Sequence, residues 1–316
     1  MTRPLPEAVI SPAAPPRAAS SPGWLRWPSA VLRTARPRQW PKNLLVFAAP
    51  LAGTSLGRPD GLGYALVAAI AFCAASVAVY MVNDVVDADR DRRHPVKRNR
   101  PIAAGELPKA HAVAVAAVCI IGALSAGFAI HTPLLSVIVG AYVASSVLYS
   151  LVLKHIPVIE LVFVASGFVL RALGGAAATR VPPSGWFLLV CSLGALLVAT
   201  AKRYTEMAVL GPDAIRHRPS MRWYRPSALR LAQRLIAAAM IISYVLWAVG
   251  EHRGWIRGWH LASAIPLAGT LARFDHLTAE ATAKPVEDLL ARDTTMVVLE
   301  MMWLLMFVGG LWELVQ

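Results

Sequence analysis

The sequence predicts an all-α polytopic membrane protein, a bundle of about nine transmembrane helices around a central cavity. Three observations predict it. Of 316 residues, 57% are hydrophobic and only 16% are charged, where soluble proteins average about 25% charged. The mean hydropathy of +0.54 excludes a largely disordered chain. The apolar residues also gather into runs near the ~20-residue length that crosses a bilayer, too many for a soluble core to absorb. Inside hydrocarbon the backbone must satisfy its own polar groups, so these runs are expected to be helices.

Residues 1–35 are rich in Pro, Ala and Ser and lack a continuous apolar stretch, so they read as a disordered cytoplasmic tail rather than a signal peptide. Residues 36–316 form the membrane domain. Its spans are expected at 43–59, 62–83, 111–130, 133–153, 157–178, 185–203, 229–250, 259–274 and 294–315, the eighth being the weakest. Small residues such as Gly174, Gly175 and Gly194 suit close helix packing. Cys73, Cys119 and Cys191 fall in separate apolar runs and offer neither a disulfide framework nor metal-ligand spacing. Trp24, Trp27, Trp40, Trp186, Trp223, Trp255 and Trp259 flank the runs, as in an aromatic belt.

The net charge of +13 is distributed unevenly. All but five of the 31 lysines and arginines lie before the first span or in alternate connections; the five are Arg58, Arg171, Arg180, Arg253 and Arg257. The positive-inside bias therefore predicts a cytoplasmic N-terminus and, after nine spans, an external C-terminus. Positive charge confined to short loops argues for membrane and anionic substrate, not nucleic acid. Chemistry is expected at the cytoplasmic face, under cap loops at about 84–110 and 204–228.

The second span ends in Asn83-Asp84-Val85-Val86-Asp87-Ala88-Asp89-Arg90-Asp91. On a continuing helix Asp84, Asp87 and Asp91 share one face, where three carboxylates repel unless a cation sits among them. An all-oxygen set suits Mg²⁺, which commonly bridges carboxylates to substrate phosphates. Lys97, Arg98 and Arg100 follow in a dense basic loop. A metal-binding helix end next to such a loop matches a diphosphate substrate, whose remaining oxygens Lys and Arg can cover. Arg171, deep in the fifth expected span, is read either as facing the cavity or as pairing with Glu300 or Glu313. His111 and His131 read as interfacial caps.

Asn83-Asp84-x-x-Asp87-x-x-x-Asp91 resembles the N-D-x-x-D-x-x-x-D signature of the UbiA superfamily of intramembrane prenyltransferases, and the likeness runs over nearly the whole chain after residue 35. Ordinary members carry a second acidic motif after the sixth helix. Here Lys202-Arg203-Tyr204-Thr205-Glu206 stands in its place, keeping one carboxylate and adding two cations. Arg36-Pro37-Arg38-Gln39-Trp40-Pro41-Lys42-Asn43, the stretch Lys97 to Gly105, Lys154-His155, Leu170-Arg171-Ala172 and Ala291-Arg292-Asp293 are similar to the decaprenyl-phosphate phosphoribosyltransferase branch. Lys284-Pro285-Val286-Glu287-Asp288 departs from that branch in the turn but keeps the Glu287-Asp288 pair.

The resemblance implies transfer of 5-phosphoribose from 5-phosphoribosyl diphosphate to a polyprenyl phosphate, with pyrophosphate leaving. The product would feed cell-wall arabinan precursors. It implies a plasma-membrane enzyme using Mg²⁺, in the bilayer, with a homo-oligomer admitted. Asp84, Asp91 and Lys202 are the expected catalytic residues, with Asp84, Asp87 and Asp91 on the metal. Asn83 would orient a carboxylate or a phosphate, and Lys97, Arg98 and Arg100 would cover the donor phosphates. Lys202, Arg203, Tyr204 and Glu206 would take the donor's other end, Glu206 alternatively fixing Lys202. Lys42 and Lys154 would hold the lipid phosphate. Two other classes are weighed against this: a UbiA-type prenyltransferase using a prenyl diphosphate with an aromatic or glycerol-phosphate acceptor, and a transporter. The altered second motif opposes the first, and charges gathered at helix ends oppose the second.

Overall fold

The structure, a computed structural model, describes residues 23–94, 96–211, 219–280, 286 and 292–312. Helices α1 (Gly23–Ala35) and α2 (Ala48–Ala52) are joined by a 3₁₀ stretch, Pro37–Phe47. Eight long helices follow: α3 (Gly61–Asp91), α4 (Lys109–Ala129), α5 (Pro133–Leu151), α6 (Ile159–Ala178), α7 (Gly185–Leu210), α8 (Pro226–Glu251), α9 (Gly254–Ala279) and α10 (Thr294–Trp312). Short links, such as the two residues between α8 and α9, make chain neighbours antiparallel.

Seven of the described helices, α3 to α8 and α10, are long and apolar enough to cross a membrane. Two of the nine expected spans differ. The eighth forms as α9, yet Arg257, His260, Arg273 and Asp275 make it too polar to qualify by composition. The first, at 43–59, is no continuous α-helix. Pro41 and Pro50 remove amide donors, and the chain winds instead as 3₁₀ helix, a short α-turn and a second 3₁₀ turn at Ser55–Gly57. At about 2.0 Å per residue, the 11 residues of Pro37–Phe47 reach about 22 Å, farther than an α-helix of that length. Together with α2 the stretch thus runs from the Asp84 end of α3 to Gly53, which packs on Val181 beyond the far end of α6.

α3 and α6 form the bundle's centre. Their membrane-crossing windows are 56% and 50% buried, against 22–28% for the others. Small residues allow this: Ala65, Ala68, Ala71, Ala75 and Ala78 line α3, and Ala172, Gly174, Gly175 and Ala176 line α6. A Cβ on Gly175 would collide with the Val46 carbonyl, so only glycine admits the 3₁₀ stretch against α6. On the periphery Ile70, Val118, Ile121 and Ile265 are 68–75% exposed, an outer surface suited to lipid chains. Trp27, Trp40, Trp223, Trp255 and Trp259 are exposed near helix ends, and Trp24 has no described side chain.

Residues 23–35, expected to belong to a disordered tail, form α1 instead; residues 1–22 lie outside the described residues. Trp27 rests on His111 with ring centroids 4.1 Å apart, which docks α1 on the start of α4. Within the expected cap loops, 84–91 and 204–210 are helical, 92–94 and 96–108 are loop with one 3₁₀ turn, and 95 and 212–218 lie outside the described residues.

Candidate active site at the basic end of the bundle

The C-terminal ends of α3, α5, α7 and α9 meet the N-terminal ends of α4, α6 and α8 at one end of the bundle. α3 stays helical through the acidic run, so its carboxylates lie on successive turns. Asp84 and Asp91 point inward and are 3% and 2% exposed. Buried carboxylates need charge and hydrogen-bond partners, and both find arginine. Arg100, from the loop after α3, donates to Asp84 Oδ1 at 3.1 Å and to Asp91 Oδ2 at 2.7 Å. Arg36 donates to Asp84 Oδ1 at 2.5 Å and stacks over Tyr80, 4.9 Å from its ring centroid.

Arg36 reaches Asp84 from a left-handed backbone, φ 52° and ψ 63°, between α1 and the 3₁₀ stretch. That conformation costs an L-residue roughly 1–2 kcal/mol. Trp40 helps hold the turn by donating to the Ala35 carbonyl. Asp87, the middle rung, is 27% exposed and pairs with Arg90 at 2.8 Å. Asp89 lies on another face with Arg92 and Lys109. Asn83 and Lys97 are half-buried and Arg98 is exposed, with His94 Nδ1 accepting from the Lys97 amide to shape the loop.

The sixth-span motif builds a second cluster. Arg203 is 6% exposed. Its Nη1 donates to Glu206 Oε2 at 2.6 Å, its Nη2 to the Tyr149 hydroxyl at 3.4 Å, and its Nε lies 3.2 Å from Glu160 Oε1. Glu206 thus binds Arg203. Glu160, wholly buried in the first turn of α6, also accepts from Ser220 at 3.2 Å. The same short segment carries Tyr224, whose hydroxyl accepts from the Val158 amide at 2.8 Å. Val158 has φ 64°, a strained value for a β-branched residue. Burial is the main cause that pushes the Tyr224 phenol up to about 12.

Tyr204 lies under Arg230, 5.4 Å from its guanidinium carbon. Lys202, Lys42 and Lys154 are half-buried, and the Lys154 carbonyl accepts from Ser220 at 3.5 Å. Asp293 of the Ala291-Arg292-Asp293 motif clamps Arg273 at 2.8 Å and caps α10 through the Met296 amide; the Arg273 hydrogen bond holds its carboxyl below the usual range. Glu287-Asp288 and Ala291 lie outside the described residues.

Deeper in the bundle, Arg171 does not pair with Glu300; Glu313 lies outside the described residues. Its guanidinium donates to Asn43 Oδ1 at 2.6 Å, the Gly167 carbonyl at 2.7 Å, the Tyr142 hydroxyl at 2.9 Å and Ser76 Oγ at 3.3 Å. It also lies 4.6 Å from the Tyr142 ring centroid. One side chain therefore ties α6 to α3, α5 and the 3₁₀ stretch that follows Arg36 and carries Lys42. Uncharged acceptors suffice because five fixed N–H donors can be satisfied without a second ion.

Sequence reading missed Glu160, Tyr149, Ser220 and the binding partner role of Arg36. Glu160 did give a signal, a lone carboxylate in the first turn of an apolar run. Among the described residues no three carboxylates, histidines or cysteines are gathered closely enough to hold a metal unaided. Two buried aspartates nevertheless fit Mg²⁺, a cation that typically takes one or two protein carboxylates and fills its shell with water and phosphate oxygens.

The sequence pattern of the UbiA prenyltransferase family matches residues 44–290. A decaprenyl-phosphate phosphoribosyltransferase of Mycobacterium tuberculosis is 37% identical over 280 residues, covering 87% of this chain and 92% of the relative. The enzyme of the same name from Mycolicibacterium smegmatis is 34% identical over 288 residues, covering 87% and 90%. Among solved structures, a UbiA homolog from Archaeoglobus fulgidus bound to GPP and Mg²⁺ superposes with a TM-score of 0.66 at 15% identity, covering 89% of this chain and 98% of its own.

Proposed function

Because this chain belongs to the UbiA prenyltransferase family, we propose that it transfers 5-phosphoribose from 5-phosphoribosyl diphosphate to a polyprenyl phosphate such as decaprenyl phosphate. The observation that carries the reading is the 34–37% identity, over 87% of the chain, to relatives named for that reaction. The altered sixth-span motif supports it, since a buried Arg203 stands among Glu160, Glu206 and Tyr149 where a second acidic pair is usual.

A lipid phosphate oxygen attacks C1 of the ribose, the C1–O bond to pyrophosphate breaks, and its electron pair leaves with the pyrophosphate. A phosphate monoester is anionic at neutral pH, so no strong base is required; the protein positions the reactants and neutralises the leaving group. Asp84 and Asp91, with Asp87, would hold Mg²⁺, which would supply charge neutralisation on the diphosphate. Arg36 and Arg100 pair with the two buried aspartates and hold them in place. Asn83, Lys97, Arg98 and Arg100 face the donor phosphates. Lys202 and Tyr204 take the donor's other end, while Arg203 and Glu206 brace each other there. Lys42 and Lys154 receive the lipid phosphate.

The chain is multi-pass, and its basic end is assigned to the cytoplasmic side of the plasma membrane, with residues 36–316 as the catalytic unit. Purified protein given 5-phosphoribosyl diphosphate, polyprenyl phosphate and Mg²⁺ should release pyrophosphate only when both substrates are present. Release from a prenyl diphosphate and an aromatic or glycerol-phosphate acceptor, with none from the first pair, would overturn the proposal.

A further inference from the structure

Away from the α3 aspartates, a cavity of about 280 Å³ lies between α7, α8 and α9. Its wall is polar at one end and apolar at the other. Gln233, Arg234 and Asp275 line the end nearest the Arg203 level; Ala237, Ile241 and Ala268 line the part deeper in the bundle. From Gln233 to Ile241 the lining runs along α8 for about 12 Å, at 1.5 Å per residue.

The polar end is chemically incomplete. Gln233 is only 2% exposed, yet neither its amide nitrogen nor its amide oxygen has a hydrogen-bond partner among the described residues. Asp275 takes Arg230 at 3.0 Å and Arg234 at 3.4 Å on Oδ2, while Oδ1 is buried without a hydrogen bond. Buried amide and carboxylate atoms left in this state carry a desolvation penalty. A ligand that completes them must offer an acceptor to Gln233 Nε2 and Arg234. It must also offer donors to Gln233 Oε1 and Asp275 Oδ1. Two arginines around one aspartate leave one positive charge for a singly charged anion.

We infer that this cavity binds a phosphodiester lipid whose headgroup carries a hydrogen-bond donor, a hydroxyl or a primary ammonium. The phosphodiester faces Arg234 and the Gln233 amide nitrogen, and the headgroup donor faces Asp275 Oδ1 and Gln233 Oε1. The first part of an acyl chain follows the small residues Ala237 and Ala268 into the bundle. A choline headgroup lacks the donor. A polyprenyl phosphate is a phosphate monoester with no such headgroup, so it would leave Asp275 Oδ1 and Gln233 Oε1 without a donor.

Full-length protein is stripped of lipid in detergent and offered phosphatidylethanolamine, phosphatidylglycerol, phosphatidylcholine or polyprenyl phosphate one at a time. Lipid retained on the intact protein is counted by mass spectrometry. The ethanolamine lipid, the glycerol lipid or both should be retained about tenfold above the choline lipid, the size of one charge-assisted contact set; whichever is retained identifies the donor. Gln233→Leu should weaken that preference by removing one of the two headgroup acceptors, while raising Tm in lipid-free detergent because it removes an unbonded buried amide. Ala268→Phe should lower retention of every phospholipid by filling the deep end. Equal retention of the choline lipid, preferential retention of polyprenyl phosphate, or unchanged selectivity in Gln233→Leu would each overturn the inference. Because bound lipid is counted, not turnover, the outcome is independent of the reaction assigned above.

Discussion

At the end of α3, two buried aspartates are held by guanidiniums that reach in from outside the helix. At the end of α7, a buried arginine is held by carboxylates that belong largely to the helical framework. Arg36 and Arg100 are 32% and 30% exposed and sit on a turn and a loop. Arg203 and Glu160 are 7% and 0% exposed and sit on two packed helices. Exposure and chain support decide which charges can change partners. Half-exposed arginines on connecting segments can pass from a carboxylate to an incoming phosphate at modest cost, since each end of the exchange is partly solvated. A buried pair on rigid helices cannot be parted without leaving an uncompensated charge. The α3 cluster therefore suits substrate exchange and the α7 cluster suits a fixed frame.

The sharpest way to break this comparison is Asp84→Asn or Asp91→Asn. Each keeps the shape and removes the charge, so turnover should fall about 10²–10³-fold with the fold retained. Pyrophosphate release measures the first and Tm the second; activity within a few fold of wild type would remove the α3 end from the chemistry. Next in size, Glu160→Gln should act on stability. Removing one partner of a buried pair costs about 3 kcal/mol, seen as a lower Tm, whereas the exposed Asp89→Asn should leave Tm nearly unchanged. If the two variants melt alike, the α7 cluster is no frame.

The smallest effect is in alkali. The Tyr224 phenol is pushed up from 10 to about 12, chiefly by burial. The folded state then holds a proton that the unfolded state has released. Its contribution to stability is complete below pH 10 and is lost as pH rises from 10 towards 12. Tm should decline across that window, and less steeply in Tyr224→Phe, as followed by thermal melts in buffers spanning it. An equal slope in both proteins would detach Tyr224 from the second cluster's frame.

Much of the candidate site could be read from spacing. Asp84, Asp87 and Asp91 recur at helical intervals, and α3 does continue through them. Spacing did not separate their environments, for Asp87 turns out to Arg90 while its neighbours are buried. That depends on what packs against each turn of α3. The partners Arg36 and Arg100 lie 48 and 16 residues away from Asp84, distances over which local pattern carries no pairing information. Arg171 is the extreme case, joined to Asn43 across 128 residues. The broken first segment was more legible, since Pro50 stands inside the run expected to span and Pro41 just before it.

Composition and pattern alone dictate that this chain lives in a bilayer, that its long apolar runs are helices and that its charge collects at one end. Those properties follow from composition and periodicity, because hydrocarbon leaves the backbone so few alternatives. Only the tertiary structure decided which charges meet: Arg100 on two aspartates, Arg203 among two glutamates and a tyrosine, and Arg171 among neutral acceptors. It alone brought Gln233 and Asp275 to one cavity wall. Pairing energies fall off within a few ångströms, so they are set by the folded path of the chain and not by order along it.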